Sequence, residues 1–312
     1  MKKRQGTALA LQGGGVHGAY AWGVLDRLLE DGLDIGRVCG VSSGALLGTM
    51  LVQGMVKGGP EGARHEMRRL WARISLAHGL SPLQSGPLER WLFGWDLSHS
   101  MAWQGMETAL RLFSPSQLNP FGHNPLRAIV DDLLDRDALR HPTAIALTVA
   151  ATDVETARST HWTNAEITVD VLLASCCLPL MVSAVQVGQR HYWDGGYSGN
   201  PPLGPLLSHG LPERLVLIRA QTVARSGTPS TPADIMNRMN EIACHGVLEA
   251  ELAAMPKSVA LSVFEADAVL APLPISSKVN ADDAFLEKLF AAGRAAPEHR
   301  QMTVPEAQAA AD

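Results

Sequence analysis

The sequence predicts an α/β fold, a three-layer α/β/α sandwich on a mainly parallel central sheet, and two observations carry that expectation. Short apolar runs of strand type alternate with stretches of fourfold apolar spacing, and a strand–turn–helix unit occurs twice within the first sixty residues. At 312 residues, with 46% hydrophobic and 18% charged side chains, the chain can also bury one large core.

In chain order, residues 7 to 11 form an apolar strand that ends in a glycine turn. Val16, Tyr20, Val24 and Leu28 then mark one face of a helix, which Gly32 closes. A second short strand, 35 to 39, leads through Gly40-Val41-Ser42-Ser43-Gly44 into a helix over 45 to 55, and 62 to 76 suits an amphipathic helix. From 79 to 124 the chain becomes rich in Pro, Gly, Ser and Trp and loses its periodicity. This stretch, with Trp91, Phe93, Trp95, Trp103 and Phe113, is expected to be a lid-like or irregular insertion, either a binding wall or a satellite core. Regular structure resumes with a helix over 126 to 134, strands at 144 to 151 and 160 to 163, and a short helix at 169 to 175. A hairpin over 185 to 193 runs into Asp194-Gly195-Gly196, followed by a strand at 214 to 218, a long helix over 232 to 252, a strand at 258 to 264 and a helix over 284 to 292. No repeat or linker divides the chain, so residues 1 to 295 are expected to form a single domain, with 296 to 312 a loose tail.

Composition excludes several classes of function. The net charge of -5 is spread along the chain without a Lys/Arg block, so nucleic acid is not an expected partner. Cys39, Cys176, Cys177 and Cys244 lack metal-site spacing, no cofactor or metal is expected, and the chain suits a reducing, cytoplasmic setting; the vicinal pair reads as packing. Met1-Lys2-Lys3-Arg4 is not followed by an export signal, and no stretch is long and apolar enough to span a bilayer, so any membrane or lipid-surface contact is peripheral.

Two glycine-rich turns carry the chemistry. Gly13-Gly14-Gly15-Val16-His17-Gly18 follows a strand and opens a helix, which has dinucleotide-loop spacing; but the next strand ends in Cys39-Gly40-Val41-Ser42 instead of an acid, and Gly18 is followed by Ala19-Tyr20 instead of the Lys-Ser of a phosphate loop. What remains is a set of backbone amides at the positive end of a helix, suited to an anionic oxygen. Gly40-Val41-Ser42-Ser43-Gly44 places Ser42 on a sharp strand-to-helix turn where only small neighbours fit, the setting of a serine nucleophile. A serine needs a base. His209, His245 and His299 are late candidates, and Asp194 in Trp193-Asp194-Gly195-Gly196-Tyr197 is a more pointed one, an acid at a strand end uncovered by two glycines.

These three motifs, in this order, resemble the patatin-like phospholipases, whose signatures are a Gly-Gly-Gly-x-x-Gly loop, a Gly-x-Ser-x-Gly elbow and an Asp-Gly-Gly turn. The resemblance runs over roughly residues 7 to 205 and takes in Ala174-Ser175 with Pro179, and Asn200-Pro201. It implies a Ser-Asp dyad: Ser42 as nucleophile, Asp194 as general base, and an oxyanion hole from the Gly13, Gly14 and Gly15 amides, with Gly18, Gly40, Gly44, Gly195 and Gly196 supporting the turns. The implied substrate is a lipid or long-chain ester. The family often carries Arg or Lys where this chain has His17, to which a structural role is assigned. Two rivals are acyl transfer on a related core, which pairs its serine with histidine, and a lipid- or granule-binding protein without turnover.

Overall fold

A computed structural model describes residues 6–84, 86–208 and 210–300. Met1 to Arg4, His209 and 301–312 lie outside the described residues. Among the described residues nine strands form one sheet: β1 (Thr7–Leu11), β2 (Ile35–Gly40), β3 (Ala146–Asp153), β4 (Ser159–Thr163), β5 (Val185–Val187), β6 (Arg190–Asp194), β7 (Arg214–Ile218), β8 (Ala260–Phe264) and β9 (His299–Arg300). Their spatial order is β5-β6-β3-β2-β1-β7-β8-β9, with β4 also paired to β3. The central run β3-β2-β1-β7-β8 is parallel, as expected. The flanks are antiparallel. The links from β3 to β4 and from β5 to β6 are a few residues long, too short for the crossover that parallel pairing needs.

Alternation along each strand builds two cores. Leu9, Leu11, Val38, Val149, Val216 and Ile218 face the larger one, beneath helices Gly18–Glu30, Ser43–His78 and Asp283–Arg294. Ala8, Ala10, Cys39, Leu215 and Leu217 face the other side, covered by Leu203, Leu206, Leu248 and Leu252 on or beside helices Gly204–Leu207 and Pro232–Ala253. The sheet is therefore sandwiched between two helical layers.

The helices expected at 45 to 55 and 62 to 76 are two limbs of Ser43–His78, broken at Gly58, Gly59 (φ 61°) and Pro60. The stretch 79 to 124 differs from its expected irregularity: it contains helices Pro87–Phe93, Met101–Leu112 and Pro115–Leu118. Local caps make them. Ser100 accepts from the Trp103 amide, and Ser114 accepts from the Gln117 amide with Pro115 in the first turn. Of its aromatics, Trp103 is buried and Trp95 stacks on Phe285, whereas Trp91, Phe93 and Phe113 are exposed. At the far end, residues 299–300 pair with β8.

Candidate active site

The sheet order brings the three sequence motifs to one edge. β1 and β2 end side by side, Leu11 opposite Gly40, so the glycine loop and the serine turn are neighbours. β6 starts beyond the carboxyl end of β3 and runs back until Asp194 lies opposite Ala151. Asp194 therefore arrives three strands from β1 and two from β2, whose following turn carries Ser42.

Ser42 is held in a backbone conformation that few L-residues adopt, φ 54° and ψ -126°. Such geometry costs about 1–3 kcal/mol and persists only where the surroundings impose it. Here they do. A side chain at Gly44 would meet the Leu11 carbonyl oxygen at 2.2 Å, and one at Gly40 would meet that of Gly44 at 2.4 Å, so the chain can pass only as glycine at both places. The Ser42 amide donates to Ser175 Oγ at 2.9 Å, and that buried hydroxyl donates to the Ala150 carbonyl at 2.7 Å.

Asp194 is buried. Burial lifts its carboxyl to about 6, against the Gly196 amide and the neighbouring Ser42 hydroxyl, which pull it down. The Gly196 amide donates to Oδ1 at 2.8 Å. The Asp194 backbone is fixed as well, its amide donating to the Cys177 carbonyl at 2.8 Å and its carbonyl accepting from Thr152 Oγ1 at 2.9 Å. Gly195 packs on the Ala150 carbonyl, where a Cβ would come within 2.4 Å.

The glycine loop presses on the serine turn: a Cβ at Gly13 would lie 2.7 Å from that of Ser42, and one at Gly18 would lie 2.6 Å from Ser43 Oγ. Two of the three expected oxyanion donors already hold protein atoms in this state. The Gly13 amide donates to Asn200 Oδ1 at 2.7 Å, and the Gly14 amide to Ser43 Oγ at 3.1 Å. Asn200 Nδ2 returns a bond to the Gly13 carbonyl at 3.1 Å, so one buried side chain joins the first motif to the segment after the third. Gly15, at φ 62°, is exposed.

His17 turns inward. It is buried, bonded through Nε2 to Ser277 Oγ at 2.8 Å and set edge-on to Phe285. Burial, with Lys278 and Arg225 nearby, lowers it to about 3, so it stays neutral across the physiological range. Lys278 lies against the loop: its carbonyl oxygen backs Gly15, and its Nζ donates to Asn237 Oδ1 at 2.6 Å and Glu241 Oε1 at 3.3 Å. Burial acts to raise Glu241, but Arg225 and Lys278 outweigh it and hold the carboxyl at about 2. Of the late histidines, His245 engages Arg219 and Glu249, and His299 sits on the outermost strand, four strands from β2.

Several residues here had no role assigned from the sequence. Ser175 and Asn200 fall in stretches that resemble the family, and nothing local in them signals what they bind. The Cys176 thiol is close enough to Asp194 and Ser42 for both to act on it, and burial pushes it well above its ordinary range. Cys244 Sγ donates to the Gly196 carbonyl at 3.1 Å. All four cysteines are free thiols. Among the described residues no cluster of three or more His, Cys, Asp or Glu could hold a metal ion, and no helix is long and apolar enough to cross a membrane.

Compared with known proteins, the chain matches the model of the patatin-like phospholipases over residues 9–207. Among solved structures it is similar to VipD from Legionella pneumophila, with 13% identity and a TM-score of 0.39 over 95% of this chain and 68% of that one. It is also similar to the heterodimeric ExoU-SpcU complex of the Pseudomonas aeruginosa type III secretion system, with 17% identity and a TM-score of 0.35. There the match covers 97% of this chain and spans 55% of that one. No curated protein matches the chain in sequence.

Proposed function

This chain belongs to the patatin-like phospholipase family, and from that premise we propose that it is a serine-dependent acyl hydrolase of lipid or long-chain esters working through Ser42 and Asp194. One observation carries the reading: a strained serine on a strand-to-helix turn has its hydroxyl beside a buried carboxylate whose pKa lies near 6, and that hydroxyl acts to pull the carboxyl down. Such a carboxylate is ionised at neutral pH and still basic enough to accept a proton.

In the first half-reaction Ser42 Oγ attacks the ester carbonyl carbon while Asp194 takes the hydroxyl proton. The carbonyl oxygen becomes an oxyanion beside the glycine loop, where the Gly14 and Gly15 amides and the amino end of helix Ser43–His78 favour negative charge. The Gly14 amide reaches it by exchanging Ser43 Oγ for the oxyanion, and Gly13 contributes by holding the loop against Ser42 through Asn200. When the carbonyl re-forms, the C–O bond to the alcohol breaks and Asp194 returns the proton to the departing oxygen, leaving acyl-Ser42. A water deprotonated by Asp194 then attacks the acyl carbon, releasing the fatty acid and restoring the serine.

The substrate class draws support from the surface. Trp91, Met101, Phe121 and Leu180 are exposed apolar side chains, and Leu178 to Met181 follows directly on Cys177, whose carbonyl holds Asp194. This arrangement suits peripheral contact with a lipid surface. The four free thiols fit a reducing, cytoplasmic setting.

The test compares wild type, Ser42→Ala and Asp194→Ala on a chromogenic acyl ester and with a fluorophosphonate probe. Both variants should lose turnover, and the probe should modify Ser42 alone. Wild-type turnover by Ser42→Ala would overturn the proposal.

A further inference from the structure

We propose that Ser175 is a positioning residue for the nucleophile: its hydroxyl pins the strained Ser42 backbone to β3, and with the adjoining Cys177 carbonyl it sets the separation of Ser42 from Asp194. The inference rests on the Ser42–Asp194 reading above.

Ser42 precedes the first turn of its helix, so its amide has no helical acceptor. It is satisfied from 133 residues away by Ser175 Oγ at 2.9 Å, on a side chain with no exposed surface. A hydroxyl can accept one hydrogen bond while donating another. Ser175 does both, accepting from Ser42 and donating to the Ala150 carbonyl at 2.7 Å. That carbonyl is also the surface on which Gly195 packs, and the next residue, Ala151, pairs with Asp194. Two residues after Ser175, the Cys177 carbonyl takes the Asp194 amide at 2.8 Å. A single turn at the end of helix Val169–Ser175 therefore grips the backbone of both reacting residues.

A buried serine that merely filled space would tolerate alanine with little effect on proton transfer. The pin makes a different prediction. Without the hydroxyl the Ser42 amide and the Ala150 carbonyl lose their shared partner, the turn relaxes, and the Ser42 hydroxyl moves from Asp194. That hydroxyl is one of the two groups that lower the Asp194 carboxyl, so its withdrawal moves the carboxyl upward. The other ionisable groups facing Asp194 are Cys176, Cys177, Cys244 and Tyr197, all pushed up by burial, the middle two to about 11 and the tyrosine to about 12, so none titrates near pH 6.

The experiment measures kcat, KM, the pH profile and the fluorophosphonate labelling rate for wild type, Ser175→Ala and Ser175→Cys under reducing conditions, alongside thermal unfolding. Ser175→Ala should lower kcat and the labelling rate by roughly 10- to 100-fold, the loss that small misplacements of reacting groups produce. KM should change less than about twofold, and the acid limb of kcat/KM should move to higher pH. Ser175→Cys, of nearly the same shape but a weaker hydrogen-bond partner, should fall between wild type and alanine, and it carries the test if the alanine variant does not fold. A folded Ser175→Ala with near wild-type kcat and an unmoved acid limb overturns the pin, as does wild-type kcat in Ser175→Cys. Absence of turnover and of Ser42 labelling in the wild-type protein overturns the hydrolase reading, and the pin with it.

Discussion

Replacing Asp194 by asparagine should abolish turnover and stabilise the protein. Burial holds the folded-state pKa near 6, against an ordinary value of 3.8. Between these values the folded protein binds more protons than the unfolded chain, so stability falls as pH rises from about 4 to 6 and stays reduced above. Two pH units correspond to about 3 kcal/mol. Asparagine has the same shape, keeps an oxygen for the Gly196 amide at 2.8 Å and carries no charge to desolvate. Urea unfolding of wild type and Asp194→Asn at pH 4 and pH 8 measures the difference. The variant should be more stable by up to about 3 kcal/mol at pH 8, roughly 5 °C in thermal midpoint, and about equal at pH 4. Wild-type kcat/KM should rise with pH through about 6. A stability difference that is flat with pH, or a variant weaker than wild type at pH 8, would refute the idea that burial sets the base. The expected result is a direct exchange of stability for reactivity at one carboxyl.

His17 should act in the opposite direction. Its folded-state pKa near 3 lies below the ordinary 6.5, so the stability it confers is complete above pH 6.5 and is lost as pH falls toward 3. His17→Gln should therefore shift the acid-unfolding midpoint, followed by circular dichroism, to lower pH. Gly44→Ala should destabilise by about 3 kcal/mol or more, because the new Cβ meets the Leu11 carbonyl at 2.2 Å. Gly105→Ala, in helix Met101–Leu112 with nothing within 4 Å of the new atom, should stabilise by about 0.5–1 kcal/mol, and denaturant midpoints separate the two. Asn200→Ala should cost about 2 kcal/mol by removing both bonds to Gly13, and should slow fluorophosphonate labelling of Ser42 by about tenfold as the loop loosens.

The polar surroundings of the site follow one pattern. Behind the glycine loop, Glu241 lies between Lys278, Arg225 and Arg238, while His17 stays neutral against Ser277. Removing Glu241 would leave three cations without their shared anion. The loop position that is often basic in the family is thus occupied by a buried neutral ring, and the Lys278 ammonium, on another segment, is bound to Asn237 and Glu241.

Sequence by itself determined what depends on near neighbours. Apolar periodicity marked β1, β2 and the helices between them, since which face a residue presents follows from spacings of two or of three to four. Gly40, Ser42 and Gly44 announced a sharp turn because their sizes act within five residues. The same logic misjudged 79 to 124, where short helices arise from the Ser100 and Ser114 caps and not from a long apolar stripe. Tertiary structure alone decided who meets whom. Ser175 reaches Ser42 across 133 residues, and Asn200 reaches Gly13 across 187, because the order β6-β3-β2-β1 sets their loops side by side. The chemistry of Asp194 has the same origin: Asp-Gly-Gly specifies a turn, whereas a carboxyl lifted to about 6 requires walls that exclude water, and those come from distant parts of the chain.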